Sequence, residues 1–106
     1  PDVSPQIHRC REYIELHPEQ ELKLKGLSEY VGYSQYHLSR KFKQEMGVSI
    51  GTYIKYVRVE RAKLLLMSTG MPVAQIGEAL HFASPSHFAG SFREVTGMTP
   101  QQFRKK

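Results

Sequence analysis

Two short runs hold the side chains best suited to chemistry. Between Ser34 and Lys43 stand Gln35, Tyr36, Ser39, Arg40, Lys41 and Lys43. Further on stand Ser84, Ser86, His87, Gly90, Ser91 and Arg93. Neither run is a catalytic set. The five histidines are scattered, and no nucleophile–base pair or carboxylate pair has a motif around it. The one cysteine, Cys10, can form neither an internal disulfide nor a Cys/His zinc pattern. No enzyme activity, metal or cofactor is expected. What the runs do offer is hydrogen bonding to flat polar edges. The planar guanidinium of Arg40 suits the O6 and N7 acceptors of guanine, and Ser39 can bond either base type. Tyr36 can lie against a thymine methyl or a sugar, and Lys41 and Lys43 suit phosphates.

Helices must position these groups. No stretch keeps a period-two alternation, while a period near 3.6 recurs along the chain. Ser4-Pro5 opens a first helix with Ile7, Cys10, Tyr13 and Ile14 inward, and His17-Pro18 ends it. Residues 23–31 give a short helix with Leu24, Leu27 and Val31 on one face. Ser34 caps the next, over 34–46, which is anchored by Leu38 and Phe42 and stopped at Gly47. Ser49 opens the longest helix, to Ser68, with a predicted stripe of Ile50, Tyr53, Ile54, Val57, Arg61, Leu64 and Leu65. A short helix follows with Val73, Ile76 and Leu80 inward. Another runs over 84–96 with Phe88 and Phe92 inward, and Thr99-Pro100 opens a last one carrying Phe103.

The chain repeats itself. Moved 50 positions, Ser34 falls on Ser84, His37 on His87, Phe42 on Phe92, Gly47 on Gly97 and Tyr53 on Phe103. Upstream the shift is 49, so that Leu24 meets Val73, Leu27 meets Ile76 and Val31 meets Leu80. The repeated unit is a short helix, a tight turn, a capped longer helix and a glycine stop, which is the helix-turn-helix layout. Ser28 and Gly77 are the small residues that admit close packing of the second helix. Gly32 supplies the left-handed turn residue of the first unit, and His81 takes that place in the second.

Fifteen Lys and Arg against ten Asp and Glu give a net charge of +5, and the pI is about 9.5. A basic module with duplicated recognition helices points to a polyanion, double-stranded DNA foremost. Lys25, Lys55 and Arg104 join Lys41, Lys43 and Arg93 as phosphate candidates, with Ser34, Ser84 and Ser91 as hydroxyl donors. Gln35, Tyr36, Ser39, Arg40, Ser86, His87 and Gly90 are the base-reading candidates. Gly90 stands where the first unit has Arg40, so the second helix is expected mainly to position and the first to specify. A helical module docking a protein is the alternative. An RNA reader is a third, although such readers favour exposed aromatic platforms and only Tyr36 stands clearly outside the core spacing.

The stretches LSEYVGYSQYHLSRKFKQEMGVSIGTYIKYVRVERAKLLL and VAQIGEALHFASPSHFAGSFREVTGMTPQQFR resemble the DNA-binding domain of the AraC/XylS family of transcription regulators. The resemblance implies an all-α, homeodomain-like fold of about seven helices. Residues 1–48 would form a first helix-turn-helix lobe, 49–69 a linker helix and 70–106 a second lobe. It implies recognition helices in adjacent major grooves of a promoter, usual activation through RNA polymerase, and a companion effector or dimerisation domain elsewhere in the parent protein. His81, where a glycine is usual, and Gly90, where a longer polar residue is common, depart from the family pattern. The start at Pro1 without an initiator Met reads as a fragment. The lone cysteine and the lack of a membrane span or signal peptide suit a bacterial cytoplasm and no membrane partner.

Overall fold

A computed structural model describes residues 3–106; Pro1, on which the fragment reading rests, and the first two residues of the expected 1–48 lobe lie outside them. Among the described residues there are seven helices and no strand: α1 Pro5–Leu16, α2 Leu24–Val31, α3 Gln35–Met46, α4 Ile50–Ser68, α5 Val73–Ala79, α6 Pro85–Thr96 and α7 Pro100–Lys105. No helix among them is long and apolar enough to cross a membrane. The chain divides into two compact units, Pro1–Ile54 and Lys55–Lys106.

In unit 1, α1 packs on α2 and α3. Ile7, Cys10 and Ile14 are fully buried, on the i, i+3, i+7 spacing of one helix face. Also buried in this unit are Leu27 and Val31 of α2, Leu38 and Phe42 of α3, and Ile50 and Ile54 at the start of α4. Tyr53 sets its ring edge-on to Phe42 at 5.6 Å and donates its hydroxyl hydrogen to Glu15. Burial, then the Glu15 carboxylate, push the Tyr53 hydroxyl up to about 12. Ser4 is the N-cap of α1, but its hydroxyl makes no cap bond. Glu45, at the far end of α3, instead accepts from the Ser4 amide at 2.7 Å and from its hydroxyl at 3.1 Å.

In unit 2 the core is Val59, Ala62, Leu66, Ile76, Leu80, Phe88 and Phe92, with Phe82 and Phe103 packed against it. Ring contacts run from Phe82 to Phe88 at 4.9 Å, on to Phe92 at 5.9 Å and to Phe103 at 5.4 Å. Replacing one such buried ring by Ala costs about 3–5 kcal/mol. Val59, Ala62 and Leu66 repeat the spacing of Ile7, Cys10 and Ile14, so the second half of α4 does for unit 2 what α1 does for unit 1. This corrects the expected stripe. Leu64 is 63% exposed, because the inward residues of this half are set by the core of unit 2 and not by a continuation from Ile50 and Ile54.

A Cβ built on Gly77 would come within 2.7 Å of Phe88 Cδ2, so α5 and α6 meet backbone against ring. At the corresponding place in α2, buried Ser28 keeps its Cβ and donates its hydroxyl to the Lys25 carbonyl at 2.8 Å. The turn before α3 bends at Gly32, φ 82°, and the turn before α6 at His81, φ 64°.

Candidate nucleic-acid interface

Helix α3 is fixed from inside by Leu38 and Phe42, and at its start by Ser34, whose Oγ accepts from the His37 amide at 3.1 Å. Its other side presents Gln35, Tyr36, Ser39, Arg40 and Lys43, all exposed. Tyr36 is 74% exposed, far beyond any ring that serves the core. The His37 ring lies flat on Tyr33, centroids 4.0 Å apart, which holds it at the edge of this face. The α3 carboxylate, Glu45, is engaged by Ser4 and by Lys41 at 3.4 Å. The Ser4 amide above all, helped by Lys41, holds the Glu45 carboxyl below its usual range. The face is therefore a set of donors and cations with no free acid in it.

Helix α6 is built the same way. Phe88 and Phe92 point inward, and Ser84 Oγ accepts from the His87 amide at 3.0 Å. Pro85 begins this helix, so its first turn has one amide donor fewer than that of α3, which begins at Gln35. Ser86, His87 and Gly90 are exposed. His87 is also tied back: its Nδ1 accepts from the Ala83 amide at 3.2 Å and its ring meets Phe82 edge-on at 5.6 Å.

Four expected phosphate contacts are placed otherwise than the sequence reading had them. Ser91 is buried, 8% exposed, because it lies at i+3 from Phe88 and shares that helix's inner face. The Arg104 guanidinium donates to the Leu66 carbonyl at 3.2 Å and the Thr69 carbonyl at 3.3 Å, closing the end of α4. The Lys55 ammonium meets Glu94 at 2.7 Å, and Lys41 meets Glu45. Lys25, Lys43 and Arg93 remain exposed, with Ser34 and Ser84 at the helix starts. Nothing in the local pattern announced the contacts of Glu45 with Ser4 or of Glu94 with Lys55, which span 41 and 39 positions, whereas Lys41 and Glu45 stand at i, i+4 on one helix. The tie between His87 and Ala83 spans four residues and was open to a helix-cap reading.

Cys10 sits in the core of unit 1, and burial pushes its thiol up to about 11. The cysteine is therefore a core residue and not a reactive one.

A family profile described as a helix-turn-helix domain matches residues 27–106. An uncharacterized HTH-type transcriptional regulator of Staphylococcus aureus is 40% identical over 98 residues, covering 92% of this chain and 13% of that protein. The chain thus spans 13% of the length of the first curated relatives it matches. Among solved structures, the C-terminal domain of AraT, a response regulator from Geobacillus stearothermophilus, superposes with a TM-score of 0.89 at 34% identity, covering 99% of this chain and 88% of that one. A transcriptional regulator of Chromobacterium violaceum, from the AraC-type DNA-binding domain-containing proteins, gives 0.88 at 33% identity, covering 95% and 90%. With the repeated helix-turn-helix units already in view, the chain belongs to the AraC-type helix-turn-helix family.

Proposed function

We propose that this chain binds double-stranded promoter DNA sequence-specifically and acts in transcription regulation, with α3 and α6 as the helices that enter the major groove. The outward face of α3 carries the reading. Gln35, Tyr36, Ser39 and Arg40 stand together on the exposed side of the second helix of a helix-turn-helix, where base edges are reached. Arg40 takes a guanine, Lys43, Lys25 and Arg93 lie against phosphates, and Ser86, His87 and Gly90 face bases from α6. Lys41 and Lys55 reach a phosphate only by leaving their glutamates. The 19 residues of α4 rise about 28 Å, on the order of one turn of B-DNA, which favours two adjacent grooves. The small share of the relatives that this chain covers favours a longer bacterial cytoplasmic regulator. Its further domain would sense an effector or dimerise, and it would activate through RNA polymerase.

Binding of the chain to duplex selected from a random pool, titrated with salt, tests this. The logarithm of the binding constant should fall steeply, by about 0.9 per phosphate neutralised for each unit in log salt. A flat slope, or no duplex binding at low salt, overturns it. A footprint with two protected grooves one turn apart supports the two-groove placement, and a single protected groove removes it.

A further inference from the structure

His37 and His87 occupy the same place in the two units, yet their rings are held differently. The His37 ring stacks on Tyr33, with 23° between the planes. The His87 ring accepts the Ala83 amide hydrogen at Nδ1, 3.2 Å away, and stands edge-on to Phe82. A backbone N–H can only donate, so Nδ1 is the unprotonated nitrogen of this ring. The proton of the neutral imidazole is then on Nε2. His87 is exposed, third in α6 after Pro85 and Ser86, among the early positions that approach base edges. Exposed Ser86 and Gly90 crowd it little, and a Cβ on Gly90 would meet nothing within 4 Å.

We infer that His87 serves the second recognition helix as a fixed hydrogen-bond donor, its Nε2–H aimed at a base acceptor in the major groove, and that it thereby excludes cytosine from the facing position. This rests on the DNA-binding reading above. Purines and thymine present an acceptor in the major groove, at N7, O6 or O4, whereas cytosine presents only its amino donor. A ring free to choose its tautomer could turn an acceptor to that amino group. The Ala83 amide removes the choice. His87 is thus set by its own turn to sort bases by hydrogen-bond polarity, within a helix otherwise fitted for close approach.

Ring nitrogen correlation spectra of the free chain test the tautomer without DNA. The Nε2–H form is expected for His87; the Nδ1–H form, or an exchanging mixture, overturns the inference while leaving DNA binding intact. Selection from a random duplex pool tests the reading. One position in the second half-site should disfavour cytosine by about five- to tenfold. His87→Ala should remove that preference, and His87→Gln, whose amide oxygen can accept, should admit cytosine while keeping affinity. Helical content by circular dichroism shows that both variants fold. If both variants fold and keep the wild-type preference against cytosine, His87 does not read that base. Failure of the wild-type chain to select any duplex would sink the DNA-binding reading itself.

Discussion

Gly32 turns the chain before α3 at φ 82°, a conformation open to glycine, whereas His81 turns it before α6 at φ 64°, where a side chain adds about 1–2 kcal/mol. One step back in each unit the balance reverses. Ser28 keeps its Cβ in the α2 packing, while Gly77 gives its place to the ring of Phe88. The outward faces differ as well, Arg40 in one and Gly90 in the other. A repeated scaffold can therefore shift its small residue from the turn to the crossing and still close the same fold. What is preserved is the spacing of the inward residues, and the donors outside are free to change.

The largest effect that separates the units should come from the crossing. Gly77→Ala must drive Phe88 aside and should cost unit 2 about 2–3 kcal/mol, read by chemical denaturation. Ser28→Ala, which loses one hydroxyl bond and no space, should cost unit 1 about 1 kcal/mol or less. Equal losses would erase the distinction between the two packings. Next is the reading face. Arg40→Ala should weaken binding to the selected duplex by about 1–3 kcal/mol and relax one base position. An equal loss on random duplex would reassign Arg40 to a phosphate.

A smaller effect is expected from Gly90→Ala. The new Cβ meets nothing, so unit 2 should gain up to about 1 kcal/mol from helix propensity alone. A loss of stability would mean that the backbone there is not free. The smallest effect is the acid response of unit 1. The folded Glu45 carboxyl titrates below its unfolded value of about 4.3. Its stabilisation is thus full above that range and is lost as pH falls through the folded value. The thiol of Cys10, shielded in the core, should react with a thiol reagent only when unit 1 opens. Reaction rates, each divided by that of the unfolded chain at the same pH, should rise in the wild type as pH falls from about 5 to 3 and rise less steeply in Glu45→Gln. Matching profiles would detach the Glu45–Ser4 contact from the stability of the unit.

The helices, their stops and the inward Leu38, Phe42, Phe88 and Phe92 were legible because each depends on spacing within one turn or two. So was the special role of His81, which stands in the repeat where Gly32 bends the chain. The inward face of the second half of α4 was not legible as a continued stripe. Both halves satisfy a 3.6 period, and only the residues folded against them decide which positions are covered. The candidate site shows the same division. Exposure of Gln35, Tyr36, Ser39 and Arg40 follows once Leu38 and Phe42 are placed inside. The tasks of Lys55 and Arg104 do not, because Glu94 and the carbonyls of Leu66 and Thr69 arrive from 35 to 39 positions away. Ser91 could have been recognised from its spacing to Phe88 alone.

The contact between Gly77 and Phe88 bears on how such a domain can be rewritten. The seat of α6 is fixed by an inward ring lying on bare backbone, while a Cβ on outward Gly90 would meet nothing within 4 Å. Lettering and binding of the page are thus separate. The exposed positions Ser86 and Gly90 can be exchanged for those of a sister domain without recutting the joint, whereas His87 is also held by the turn. Target preference can then drift through a lineage, or be grafted in the laboratory, while the glycine and the ring stay as they are.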